Sequence, residues 1–98
     1  MILSHYILLM NLLLDCLILN SPSNPTGEVL GSDELFEIVE TYFQKNPKGF
    51  VISDEIYEFL SFDEFASLGS AFPDKDIVIV NGFSKTFMMT GLRVGWAY

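Results

Sequence analysis

Short apolar runs alternate with polar, breaker-rich segments along most of this chain. Leu17, Ile18 and Leu19 form the first run, and residues 17–20 predict a short strand. Ser21, Pro22, Ser23, Asn24, Pro25, Thr26 and Gly27 follow as a loop dense in breakers. Ser32 is placed to cap a helix, with Asp33 and Glu34 favourable in its first turn. Leu35, Ile38, Val39, Tyr42 and Phe43 then recur at helical spacing and form one apolar face. Asn46, Pro47, Lys48 and Gly49 stop that helix. Residues 50–53 predict a second strand and 77–80 a third, with a fourth over 94–98. Residues 58–69 read as irregular or weakly helical, and Phe72, Pro73 and Asp74 as a turn. Continuous apolar runs of this kind fit strands buried on both faces. The alternation predicts an α/β chain: a partial, mostly parallel sheet with flanking helices. Crossovers between its parallel strands should be right-handed.

The first fifteen residues break this pattern. They are apolar nearly all round until Asp15. A helix of that kind is buried in protein or membrane. A spanning helix needs about 20 apolar residues, a length reached here only by absorbing Cys16, Leu17, Ile18 and Leu19. Those residues are already needed for the first strand. Asp15 near a bilayer centre would cost about 2.5–3.5 kcal/mol. No Lys or Arg precedes Lys45, so the basic flank of a signal peptide is missing. Residues 1–15 are therefore expected to stand apart from a single domain over 16–98.

Composition narrows the functions. A chain of 98 residues makes one small domain, and a 50% hydrophobic content is enough for a core. The net charge of −8 argues against nucleic acid, whose phosphates need basic surface. The acids concentrate in residues 33–40 and 54–64, and most are expected on solvated faces. Cys16 is the single cysteine, cannot form an internal disulfide, and reads as a small buried hydrophobe. That fits a reducing cytoplasm. There is no metal-ligand cluster, and His5, the single histidine, reads as incidental.

The candidate chemistry lies in four short motifs. Lys85 is one of four lysines and the one flanked by small and apolar residues, in the run Asn81-Gly82-Phe83-Ser84-Lys85-Thr86-Phe87. Arg93 follows eight residues later, inside Gly91-Leu92-Arg93-Val94-Gly95. Asp54 comes after the apolar run Phe50-Val51-Ile52, at the expected carboxyl end of a strand, where open α/β sheets bind ligands. Tyr57 is one turn further on, and Asn24 opens Asn24-Pro25-Thr26-Gly27. Taken singly, each has an ordinary reading: a surface lysine, a strand-end cap, a core aromatic, a turn, an ion-pair arginine. Those readings do not predict the four together in this order.

In that order the chain resembles the large domain of the class I/II aminotransferases, the fold-type I pyridoxal-phosphate enzymes. The resemblance runs over residues 17–98. It implies an antiparallel last strand and pyridoxal 5'-phosphate as cofactor. Lys85 would hold the cofactor aldehyde as an imine, a task for a partly desolvated amine. Asp54 would keep the ring nitrogen protonated. Asn24 and Tyr57 would hydrogen-bond the ring's phenolic oxygen. Ser84 and Arg93 would grip the phosphate. Many relatives carry a further serine three residues before the lysine; here that position is Gly82. The resemblance also implies amino-acid and 2-oxo-acid substrates and a homodimer. Family members are several times longer, so this chain is expected to be a fragment, inactive alone. Two other readings stay open. One is another enzyme of the fold, such as a carbon–sulfur lyase or an aminocyclopropane-carboxylate synthase. The other is a non-catalytic truncated product.

Overall fold

The computed structural model describes residues 14–69 and 71–98. The expected apolar segment at the N-terminus falls almost wholly outside the described residues. The rest forms four strands and one α-helix: β1 (Cys16–Asn20), α1 (Ser32–Lys45), β2 (Phe50–Asp54), β3 (Ile77–Gly82) and β4 (Gly95–Ala97). Two single 3₁₀ turns, Glu58–Leu60 and Thr90–Leu92, lie in the connections. The strands join in the order β1-β2-β3-β4. The first two pairings are parallel, with Asn20 level with Asp54 and Asp54 level with Val80. The last is antiparallel, with Gly82 opposite Gly95. Reciprocal backbone bonds between Ile79 and Tyr98, at 2.8 and 3.1 Å, extend that pairing to the chain's last residue.

Helix α1 lays its predicted stripe on one face of the sheet. Leu35, Ile38, Val39, Tyr42 and Phe43 are buried against Leu19, Val51 and Ile79, with Leu30 and Leu68 closing the edges. Fully burying an aliphatic or aromatic side chain of this size is worth about 1.5–3 kcal/mol, so this single layer is the main source of cohesion. Tyr42 also ties strands together: its hydroxyl lies 3.0 Å from the Leu14 carbonyl and 3.2 Å from that of Phe50. Gly49 is required beneath it, because a Cβ there would collide with the phenol. Asn46 ends the helix, its side-chain carbonyl accepting from the Leu14 N–H at 3.0 Å.

Three details depart from the sequence pattern. Gly31, not Ser32, is the N-cap: its carbonyl accepts the first helical bond, from Leu35 N–H at 2.9 Å, and Ser32 is already inside the helix. The second sheet face is not covered by the described residues. Ile18 is 66% exposed, Phe50 40% and Val78 39%. Among the described residues, the runs that read as buried on both faces thus have a covering helix on one side only. Glu55, expected on a solvated face, is 2% exposed. It continues the alternation of buried Val51 and Ser53, so the sheet's two-residue period carries it inward.

Candidate functional site

The three parallel strands end together, so the segments after β1, β2 and β3 meet at one edge of the sheet. That edge is where α/β folds place ligands. After β1, the loop turns back through bonds from Gly27 N–H to the Ser23 carbonyl and from Ser23 N–H to the Glu28 carbonyl, both 2.8 Å. Gly27 sits at φ 74°, a left-handed conformation that glycine adopts without strain. Asn20 Oδ1 accepts from the Asn24 N–H at 3.1 Å and fixes the start of the loop. After β2, Asp54 folds an Asx turn, one carboxylate oxygen accepting from Ile56 N–H at 3.2 Å. The 3₁₀ turn then begins with Tyr57 as its cap residue.

These two segments deliver Asn24 and Tyr57 to each other. Asn24 Nδ2 donates to the Tyr57 hydroxyl at 3.1 Å. The segment after β3 adds the amine: Lys85 Nζ stands 5.9 Å from the Tyr57 ring centroid, over its face. Three of the six predicted residues are therefore in one place, although they are 33 and 28 positions apart in the chain. Asp54 is level with them at the strand end, but among the described residues no hydrogen bond joins its carboxylate to Asn24, Tyr57 or Lys85.

Ser84 and Arg93 flank the neck of one loop. The Phe83 N–H to Val94 carbonyl bond, 3.2 Å, carries the β3–β4 pairing one step past Gly82. Ser84 and Arg93 are the next pair of positions. Arg93 is left-handed at φ 55°, and its guanidinium donates to the Thr90 carbonyl at 3.0 Å. Gly82 lies against this crossing. A Cβ there would come within 3.1 Å of the Val94 carbonyl and 3.2 Å of Ile56 Cδ1. A serine at this position would need those neighbours to give by a few tenths of an ångström.

Lys85 and Arg93 are both exposed. The desolvation that the sequence reading asks of the lysine is not supplied by the described residues. Beside it, Thr86 Oγ1 is buried and has no hydrogen-bond partner among them. A buried hydroxyl left unpaired is costly and needs an explanation.

The donor set fits pyridoxal phosphate. An amide N–H and a phenol converge, an amine faces the phenol ring, a carboxylate ends the neighbouring strand, and an arginine and serine flank one loop. No described group of His, Cys, Asp and Glu could hold a metal ion. No described helix is long and apolar enough to cross a membrane.

Sequence reasoning passed over Glu55, Glu58 and Asn81, which lie behind the site. Glu55 Oε1 accepts from Ser53 Oγ at 3.0 Å and from the Leu68 N–H at 3.2 Å. Glu58 Oε1 accepts from Asn81 Nδ2 at 2.8 Å. Burial, then the nearby Glu55, pushes the Glu58 carboxyl above its usual range, and the Asn81 amide pulls it back. The available signal was the strand period, which points residue 55 to the same side as residues 51 and 53.

The family model described as "Aminotransferase class I and II" matches residues 10–98. A protein of Rickettsia bellii named "Probable aspartate/prephenate aminotransferase" is 49% identical over 84 residues, covering 82% of this chain and 21% of that protein. An aspartate aminotransferase of Pyrococcus abyssi is 47% identical over 85 residues, with coverage of 82% and 21%. The solved alanine aminotransferase from Pyrococcus furiosus superposes with a TM-score of 0.78 at 34% identity, over 86% of this chain and 21% of its own. The chain spans about a fifth of the length of the curated relatives it matches.

Proposed function

The chain belongs to the aminotransferase class I and II family, and on that premise we propose that it carries part of a pyridoxal-phosphate site for moving an amino group from an amino acid to a 2-oxo acid. The observation that supports this best is the meeting of Asn24, Tyr57 and Lys85 at the carboxyl edge of the sheet. Enzymes of this family use pyridoxal phosphate, which when bound accepts the electron pair left on the substrate α-carbon. Lys85 Nζ would be the amine that holds the cofactor's aldehyde carbon. The same amine would serve as the base that carries the proton away from the substrate α-carbon. Asp54 supplies the opposite charge that keeps the ring nitrogen protonated. Asn24 and Tyr57 would supply donors to the ring's phenolic oxygen. Ser84 and Arg93 bind the phosphate, the arginine as a bidentate fork.

We assign residues 16–98 to the cofactor-binding domain and leave 1–15 outside it. The family likeness further supports a cytoplasmic homodimer acting in a biosynthetic process. The exposed Lys85 favours a chain that is inactive alone, because catalysis needs its groups held and shielded. A carbon–sulfur lyase or an aminocyclopropane-carboxylate synthase would use the same lysine, aspartate and arginine. Assay of a complete enzyme for elimination against transfer separates these. The test of the site is Lys85→Ala in a complete family enzyme carrying residues 16–98. The parent should show the visible absorbance of lysine-bound cofactor, lost in the variant. A borohydride-trappable bond surviving in Lys85→Ala would refute the assignment.

A further inference from the structure

The turn that carries Asp54 and Tyr57 is held from behind by groups the proposed chemistry does not use. Glu58 is the neighbour of Tyr57 in sequence, and Asn81 lies in β3, four residues before Lys85. The 2.8 Å bond from Asn81 Nδ2 to Glu58 Oε1 joins these two backbones. Both ends of it are themselves fixed. Asn81 is 5% exposed, and its Oδ1 accepts from the Gly82 N–H at 2.7 Å. Glu58 N–H donates to the Glu55 carbonyl at 3.0 Å, and Glu55 N–H donates to the Val80 carbonyl at 2.9 Å. Ile56 closes on Gly82 in the same crossing.

We propose that Glu58 and Asn81 form a positioning pair whose hydrogen bond sets the Tyr57 ring against the Lys85 amine. Neither residue touches the reacting atoms. They act through the two segments they couple. With the bond intact, the turn bearing Tyr57 and the strand running into Lys85 move as one body. Without it, the ring and amine keep only their own contact, which at an exposed site is weak. This inference rests on Lys85 being the cofactor amine.

The experiment uses Met1–Tyr98 itself and two readouts that need no turnover. The chain is treated briefly with pyridoxal phosphate, reduced with borohydride and mapped by mass spectrometry, with Lys45, Lys48 and Lys75 as internal references. Amide exchange of the peptide spanning residues 54–60 is measured on cofactor-free protein. Glu58→Ala should lower the preference for Lys85 about tenfold, the scale of leaving a buried donor without its partner, and should speed exchange. Glu58→Gln keeps an accepting oxygen and should stay within about twofold of the parent in both. Should Glu58→Ala fail to fold, Glu58→Asp, one methylene short of Asn81, replaces it with the same expectation. The proposal is overturned if the shortened variant matches the parent in both readouts, or speeds exchange without lowering the Lys85 preference. It is overturned equally if Glu58→Gln falls as far as Glu58→Ala. Absence of any Lys85 preference in the parent would count against the proposed function. The pair is then judged on exchange alone: acceleration in Glu58→Ala, restored in Glu58→Gln, supports it, and unchanged exchange overturns it.

Discussion

Tyr57→Phe separates a structural tyrosine from a ligand-binding one, because the two readings predict different sizes of loss. The substitution removes only the hydroxyl that accepts from Asn24 Nδ2 at 3.1 Å. Asn24 is exposed and Tyr57 half-buried, so water can replace the lost partner. A neutral hydrogen bond of this kind is worth about 0.5–1.5 kcal/mol net, and exposure puts it at the lower end. The fold should therefore lose about 0.5 kcal/mol. Against the charged phenolic oxygen of a cofactor the same hydroxyl is worth about 1.5–3 kcal/mol, or about ten- to a hundredfold in Kd. The measurement is made in a complete family enzyme carrying residues 16–98. Urea midpoints give the stability change, and titration of apoenzyme by visible absorbance gives the affinity. An affinity within about twofold of the parent, or a stability loss larger than the binding loss, would refute the placement of Tyr57 at the cofactor.

Three further outcomes follow from the same structure. In the complete enzyme, Asp54→Ala should cripple transfer far more than cofactor binding, with Asp54→Glu milder; near-normal turnover would leave Asp54 with only its Asx turn to Ile56. A carboxyl raised in the folded state, as Glu58 is, stabilises the fold where it is protonated, below its unfolded pKa, and that contribution is lost as pH rises through the folded value. Glu58→Gln should thus raise the denaturation midpoint at about pH 7 and lose that advantage near pH 4, around the unfolded glutamate pKa; a lower midpoint at neutral pH would contradict this. Met1–Tyr98 alone should self-associate through the sheet face bearing Ile18, Phe50 and Val78, and should not transfer amino groups to 2-oxoglutarate; sedimentation as a monomer with measurable turnover would overturn that.

Much of this fold was legible because two periods dominate it. The stripe from Leu35 to Phe43 falls within the observed helix, and the runs at 17–20, 50–53 and 77–80 are the strands observed, within two residues at their ends. The antiparallel β4 came from family likeness alone; three residues carry no directional signal of their own. Ser32 misled because a serine before an apolar stripe is a good cap by chemistry, whereas the backbone turned one residue earlier, at Gly31. Glu55 misled because composition sends acids to the surface, while its register in the strand sends it inward. For the site, residue types and order were readable, and the contact of Asn24, Tyr57 and Lys85 was not, since it depends on three loops converging. The exposure of Lys85 was unreadable for a related reason. Its apolar neighbours Phe83 and Phe87 pack ring on ring, at 5.6 Å between centroids, without covering the amine.

Diffraction from a complete family enzyme that carries residues 16–98, crystallised with pyridoxal phosphate, tests the central claim most directly. Continuous density is expected from Lys85 Nζ to the cofactor, with the phenolic oxygen within hydrogen-bond reach of both Asn24 Nδ2 and the Tyr57 hydroxyl. Density joined to another lysine, or a ring turned away from Asn24 and Tyr57, would contradict it.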